Sequence, residues 1–241
     1  MKHIEYLEEQ IEELPYGYVF THNDFEENPG TEQAVERYLN RLAKSGKINK
    51  LAKDKFYKAD GAPQLKPYEV VKDLLFEEGK QIGYLTGKSS YNELGFNLPA
   101  GTQIEVGIAE KRNPIKRGPF KVSFIRQKNV IKPAHIPYFQ LLDMLGALSK
   151  QAFATPDELC YHITKGLIHF SSREHKTVAQ LALNYQARTR ALAGALLQKI
   201  GYVSHQTLDE LKASISSYTS FSYPISAKNL PHAQEWKIIC A

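Results

Sequence analysis

Gln33, Arg37, Asn40, Arg41 and Lys44 fall at intervals that place them on one face of a helix. The other face is apolar, with Ala34, Val35, Tyr38, Leu39 and Leu42 at helical spacing. Gln, Asn and Arg are the side chains whose paired donors and acceptors match adenine and guanine edges in a major groove. Thr31 precedes the stripe and suits the helix N-cap, where its oxygen accepts an orphan backbone N–H, and it stands with this face as a further candidate DNA contact. Ser45-Gly46 stops the helix. Ile48, Leu51, Phe56 and Tyr57 then flank Lys53-Asp54-Lys55, which reads as two short strands around a tight turn. Lys50, Lys53 and Lys55 on that hairpin are of the type that anchors phosphate without reading sequence.

Charge divides sharply along this stretch. Residues 1–36 hold ten acids against Lys2 alone, whereas residues 37–58 hold eight Lys and Arg against Asp54 alone. A polyanion held against the helix and hairpin explains that asymmetry, because each neutralised phosphate releases a counterion. The competing explanation is an ordinary solvated basic face. A second basic run, Lys111, Arg112, Lys116, Arg117, Lys121, Arg126 and Lys128, contains no acid. Its first part is a connection carrying Pro114 and Gly118, so Arg112, Lys116 and Arg117 are expected on display rather than in a core. They are candidates for an additional phosphate clamp.

Catalytic patterns are not found. Gly83 to Ser89, GYLTGKS, ends like a phosphate-binding loop but has three residues between its glycines where four are required, so it reads as a turn into a helix. A metal-dependent nuclease would need acids and a lysine grouped on a strand; the best strand offers Glu105-Val106-Gly107, with Gly where the lysine would serve. His162, His169 and His175 are too loosely spaced for a helical metal face, and Cys160 does not complete a zinc set. No nucleophile sits on a recognisable elbow. The expectation is a protein without catalytic residues, metal or cofactor.

The positioning elements follow from periodicity. Ile4, Leu7, Ile11 and Leu14 stripe a Glu-rich first helix ended by Pro15 and Gly17. Tyr18 to Phe20 is a short strand able to pair with the hairpin, and Thr21 to Phe25 starts a second helix with Asn23 or Asp24 as its cap. Helix, strand, helix, recognition helix and basic hairpin together make a winged helix-turn-helix. Asp60 to Pro63 is a linker, giving a DNA-binding unit over 1–62 and a second domain over 63–241. That second domain opens with a helix from Pro67 through Val70, Val71, Leu74 and Leu75. Strands follow at Gln103–Ala109 and Phe120–Gln127, then a helix from Pro137, one from Pro156, and a long helix from Ala179 to Ile200. The tail after Leu211 has no clear assignment. The fold class is therefore α+β, with a small sheet and several helices in the second domain.

Length suits one large or two modest domains, and a 42% apolar fraction supplies a core. Net charge of +5 agrees with a nucleic-acid partner. No stretch approaches the ~18 apolar residues of a membrane span, and the first residues do not resemble a signal peptide. Two cysteines cannot build a disulfide framework, so free thiols in a reducing cytoplasm are expected.

The succession of KINKLAKDKFYKAD, YLTGKSSYNELGFNLP, YFQLLDMLGAL and RTRALAGALLQ resembles the AbiEi-type antitoxins of type IV abortive-infection toxin–antitoxin systems, over most of residues 4 to 201. Asp54 stands where the family has a Gly at the hairpin turn, and Ala59 where a Pro closes the hairpin. The resemblance implies a DNA-binding autorepressor acting on inverted repeats in its own promoter, and a C-terminal α/β domain required for antitoxin action. It further implies a neighbouring nucleotidyltransferase toxin, countered without a necessary stable complex. The basic loop is then also a candidate antitoxin surface. Two other classes remain open: a winged-helix protein with a nuclease-like C-terminal domain, and a transcriptional regulator whose second domain senses a ligand or dimerises.

Overall fold

The computed structural model describes residues 2–25, 31–59, 65–92, 101–148 and 154–240. Its first element, α1 (Lys2–Glu13), buries Leu7 and Ile11 but leaves Ile4 at the exposed end of its stripe. Strand β1 (Val19–Phe20) follows, then a single 3-10 turn at His22–Phe25. Thr21, rather than Asn23 or Asp24, stands at the start of that turn: its backbone N–H and hydroxyl both donate to Asp24 Oδ2, at 2.8 and 2.9 Å. How the turn continues lies outside the described residues. Helix α2 (Glu32–Lys44) carries the basic face, and β2 (Asn49–Ala52) and β3 (Lys55–Tyr57) form the expected hairpin. The three strands pair antiparallel in the order β1-β3-β2, so Val19 and Phe20 of the expected strand do pair with the hairpin, while Tyr18 stands before it.

The core beneath these strands is formed by Phe20, Phe25, Leu39, Phe56 and their neighbours on α1 and α2. Phe20 and Phe56 are fully buried, each removal from water contributing roughly 1.5–3 kcal/mol. Ala34 departs from the expected buried stripe: it lies exposed in the first turn of α2, where its N–H donates to the Thr31 hydroxyl oxygen. Tyr38 is buried with its hydroxyl donating 2.6 Å to Glu8 Oε1, which ties α2 to α1.

Helix α3 (Pro67–Leu75) begins with Pro, which tolerates the first turn. The short strands β4 (Phe76–Glu77) and β5 (Lys80–Gln81) pair with each other. A four-stranded sheet follows in the order β6-β7-β9-β8, built from β6 (Gly83–Thr86), β7 (Gln103–Ile108), β8 (Ile115–Arg117) and β9 (Phe120–Arg126). Between β6 and β7 the described residues include one helical turn, α4 (Lys88–Tyr91). Pairs β6–β7 and β8–β9 are antiparallel, whereas β7–β9 is parallel. Alternation along the strands sends Ile104, Val106, Ile108, Phe120 and Val122 toward α3. Val19, Leu51 and Tyr57 of the N-terminal unit join that same apolar cluster, so packing joins the two sides of the segment expected to be a linker, 60–63, which itself lies outside the described residues.

The opposite face of the sheet meets a helical bundle of α5 (Ile136–Gly146), α6 (Pro156–Ile168), α7 (Ser172–Ala182), α8 (Ala187–Ile200) and α9 (His205–Ala213). The single helix expected over Ala179 to Ile200 is instead two. Ser171 and Glu174 form a capping box that starts α7, and the chain turns extended at Gln186 before α8. The break lets Tyr185 reach the sheet and Asn184 donate to Asn129 Oδ1 at 2.7 Å. The C-terminal tail returns as parallel strands β10 (Phe221–Tyr223) and β11 (Ile238–Cys240), with Trp236 buried over Gly194, where a Cβ would collide with the ring. The whole is an α+β fold with small sheets. Among the described residues no helix is long and apolar enough to cross a membrane.

Candidate nucleic-acid interface and a buried polar cluster

Thr31 caps α2 as its residue type predicts, its hydroxyl accepting from Ala34 N at 3.3 Å. Gln33, Arg37, Arg41 and Lys44 lie exposed along one arc of the helix. Arg41 stacks on the Tyr38 ring, 4.8 Å from its centroid, which stiffens the guanidinium. Gln33, Arg37 and Lys44 make no hydrogen bond or ion pair among the described residues. Asn40 differs: it is half-buried, donates to Glu36 O at 2.9 Å and accepts from Lys50 Nζ at 2.7 Å. It holds a hairpin lysine in place rather than presenting a free amide.

The hairpin lysines split three ways. Lys53 sits exposed at the turn, next to Asp54, whose φ of 55° is the left-handed conformation that Asp tolerates where Gly was expected. Lys50 is exposed, leaning on the Phe56 ring and joined to Asn40. Lys55 turns inward and pairs with Asp73 of α3 at 3.3 Å, so it links the hairpin to the second region of the chain.

The basic loop is divided in the same manner. Arg112 and Lys116 are exposed, Arg112 lying 3.9 Å from Glu110. Arg117 is not on display. It lies on β8, is 6% exposed, and grips Asp73 with both terminal nitrogens, Nη2 to Oδ2 at 2.8 Å, while Nη1 also donates to Val70 O at 2.6 Å. Pro114 and Gly118 flank a strand rather than an open loop, and β8 pairing with β9 draws Arg117 under α3. Burial alone would raise the Asp73 carboxyl, but the Arg117 guanidinium and the Lys55 ammonium hold it below its ordinary value. Arg117 is therefore removed from the candidate DNA contacts, and Lys55 with it.

A different group of residues gathers on the bundle side of the sheet. Asp143 of α5 is almost wholly buried and accepts hydroxyl hydrogens from Tyr84 at 2.8 Å, Thr86 at 2.9 Å and Tyr185 at 3.0 Å. Gln127 donates to both tyrosine oxygens, at 3.0 and 2.7 Å, and its own oxygen accepts from Asn129 N and Nδ2. No lysine or arginine pairs with Asp143 among the described residues. Burial pushes its carboxyl up to about 6, although the three hydroxyls pull the other way, and Glu105 nearby adds to the rise. Both tyrosine hydroxyls are pushed well above their ordinary value by burial, then by the Asp143 charge. Gly107 and Gly87 make the space: a Cβ at the first would enter the Tyr84 ring, and one at the second the Glu105 carboxylate. No group of three or more His, Cys, Asp or Glu side chains able to hold a metal occurs among the described residues.

No protein-family model matches the chain, and no curated protein does. Among solved structures it is similar to the crystal structure of the RV2827C protein from Mycobacterium tuberculosis, with a TM-score of 0.59 at 15% identity, over 95% of this chain and 87% of that one. The two share a fold.

Sequence patterning located the face of α2 but missed Asp143, Tyr84, Thr86, Gln127 and Tyr185. One signal was present: Asp143 interrupts the apolar run IPYFQLLDMLG, where a charge is costly unless its hydrogen-bonding needs are met. Nothing in the sequence says which residues meet them, since they come from β6 and from the break between α7 and α8, far from α5 in the chain.

Proposed function

We propose that this protein is a DNA-binding transcriptional autorepressor whose N-terminal unit is a winged helix, with α2 entering the major groove and the β2–β3 hairpin lying along the phosphate backbone. One observation carries the reading. Gln33, Arg37, Arg41 and Lys44 occupy a single exposed arc of α2, and Lys50 and Lys53 extend that arc onto the hairpin. Of the acids of α1, Glu8 is occupied away from this arc, by Tyr38 and Lys47. Base readout then falls to Gln33, Arg37 and Arg41, with Asn40 acting through Lys50. Exposed Arg112 and Lys116 are the remaining candidates for an accessory phosphate contact. Strand β8 runs beside β2, and a Cβ at Gly118 would lie 3.4 Å from Leu51, which keeps Lys116 close to the hairpin.

The antitoxin role comes from the resemblance to AbiEi-type proteins: action in the cytoplasm against a nucleotidyltransferase toxin encoded alongside, with the C-terminal region doing the neutralising. Binding to the DNA upstream of the protein's own gene, measured by mobility shift, tests the first part. Arg37→Ala is expected to cost about 1–3 kcal/mol on that DNA and less on random DNA. Equal loss on both would reassign Arg37 to phosphate, and absence of any binding would sink the repressor reading. Co-expression with the adjacent nucleotidyltransferase tests the second part: restored growth supports it, and undiminished toxicity removes it.

A further inference from the structure

A cleft of about 530 Å³ opens between the sheet, α5 and the start of α8, and the function proposed above makes no use of it. That volume is within the range of roughly 300–1,000 Å³ typical of small-molecule sites. Its lining is chemically divided. At the floor lie the carboxylates of Asp143 and Glu105, beside the Tyr185 ring. Around the rim stand Arg126, Lys128 and Arg188, all exposed and without an ion pair among the described residues. Two of these three close the second basic run of the sequence, which the DNA interface leaves unexplained.

The floor dictates half of the ligand. A carboxylate has about four lone-pair directions, and Asp143 has filled three with the hydroxyls of Tyr84, Thr86 and Tyr185. Gln127 spends both amide hydrogens on the two tyrosines, so this network offers an acceptor and no spare amide donor. A group seated there must bring N–H or O–H donors. The rim dictates the other half, because three unpaired cations favour an anion, and the first turn of α8 opens beside them without a side-chain cap. An α-amino acid also has donors and an anion, but both are carried on one carbon, whereas here the cations are exposed and the Asp143 acceptor is 5% exposed.

We propose that this cleft binds a nucleoside phosphate, with the base or ribose donors at Asp143 and Glu105 and the phosphate at Arg126, Lys128 and Arg188. The ligand sits on the sheet face opposite to α3 and the hairpin, so its site is separate from the DNA-binding face. It makes the C-terminal region a nucleotide-binding module, independent of whether the N-terminal unit reads DNA.

The test titrates the full chain with nucleoside 5′-mono- and triphosphates of the four bases, with the parent nucleosides and with inorganic pyrophosphate, by calorimetry and thermal shift. At least one nucleotide is expected to bind saturably, tenfold or more tighter than its nucleoside or pyrophosphate. The double variant Arg126→Ala, Arg188→Ala should weaken that binding tenfold or more while leaving the melting temperature of the free protein unchanged. Glu105→Gln should weaken the nucleotide but not pyrophosphate. No binding at millimolar nucleotide overturns the proposal, as does pyrophosphate binding as tightly as any nucleotide. Operator DNA measured in parallel separates the two sites: a double variant that loses DNA affinity but keeps the nucleotide overturns it too.

Discussion

The face of α2 and the bundle side of the four-stranded sheet use polar side chains in opposite ways. On α2, Gln33, Arg37 and Lys44 point to solvent with no protein partner among the described residues, and the helix is held by the apolar residues behind them. On the sheet, Asp143, Tyr84, Thr86 and Gln127 are buried, and each bonds another member of the group. An exposed cation costs little and remains available to a partner. A buried carboxylate must be satisfied by its surroundings, so its neighbours are fixed along with it. Strand β8 shows the same contrast over two adjacent residues: Lys116 faces water, whereas Arg117 faces Asp73.

The sharpest test of that contrast is at Arg117. Removing one partner of a buried pair costs about 3–5 kcal/mol, and because the Asp73 side chain is a third exposed, Arg117→Ala should fall at the lower end. Urea denaturation measures it, and an ordinary surface value below about 0.5 kcal/mol would return Arg117 to the exposed class. Lys116→Ala, next to it, should leave stability unchanged.

Asp143 gives a second test through pH. Its carboxyl rises from an ordinary 3.8 to about 6 on folding, so the folded chain holds the proton more tightly than the unfolded one. Its contribution is therefore most favourable below the ordinary value and is lost as pH rises to about 6. Other groups run the other way: Asp73, Glu8, Glu158, Glu174 and Glu235 are lowered and lend stability that disappears in acid. Comparing the native chain with Asp143→Asn isolates the term. The native chain should lose roughly 2–3 kcal/mol relative to the variant between pH 4 and pH 7, the energy of about two pKa units. Parallel stability curves would mean that the carboxylate is held at an ordinary value.

The smallest expected effect sharpens the outward face. Lys53→Ala should lower the slope of log affinity against log salt by about one unit, the signature of one lost phosphate contact, without altering stability. Lys55→Ala should do the reverse, leaving the salt slope in place and loosening the Asp73 cluster. Equal slope changes from both lysines would put Lys55 back in the interface.

Much of the N-terminal unit could be read from local pattern. The helix cap at Thr31, the stop at Ser45-Gly46, the hairpin around Asp54 and the exposed arc of α2 each depend on residues within a few positions of one another. Helical and strand periodicity, capping and turn chemistry act at that range. Distant partners decided the rest. Arg117 and Lys55 look like surface cations in sequence; a shared carboxylate on α3 turns both inward. Asn40 looks like a base reader until Lys50, ten residues on, takes its oxygen. Asp143 sits in an apolar helix for no local reason; its partners Tyr84, Thr86 and Tyr185 come from β6 and the break between α7 and α8, and Gln127 at the end of β9 holds the two tyrosines. The sequence by itself determined the helix α2, its cap and stop, the hairpin and the apolar side of α2 from Val35 onward, because those are short-range properties of the chain. Only the tertiary structure decided which charges are buried and with what partners, since desolvation and hydrogen bonding depend on what the rest of the fold brings alongside.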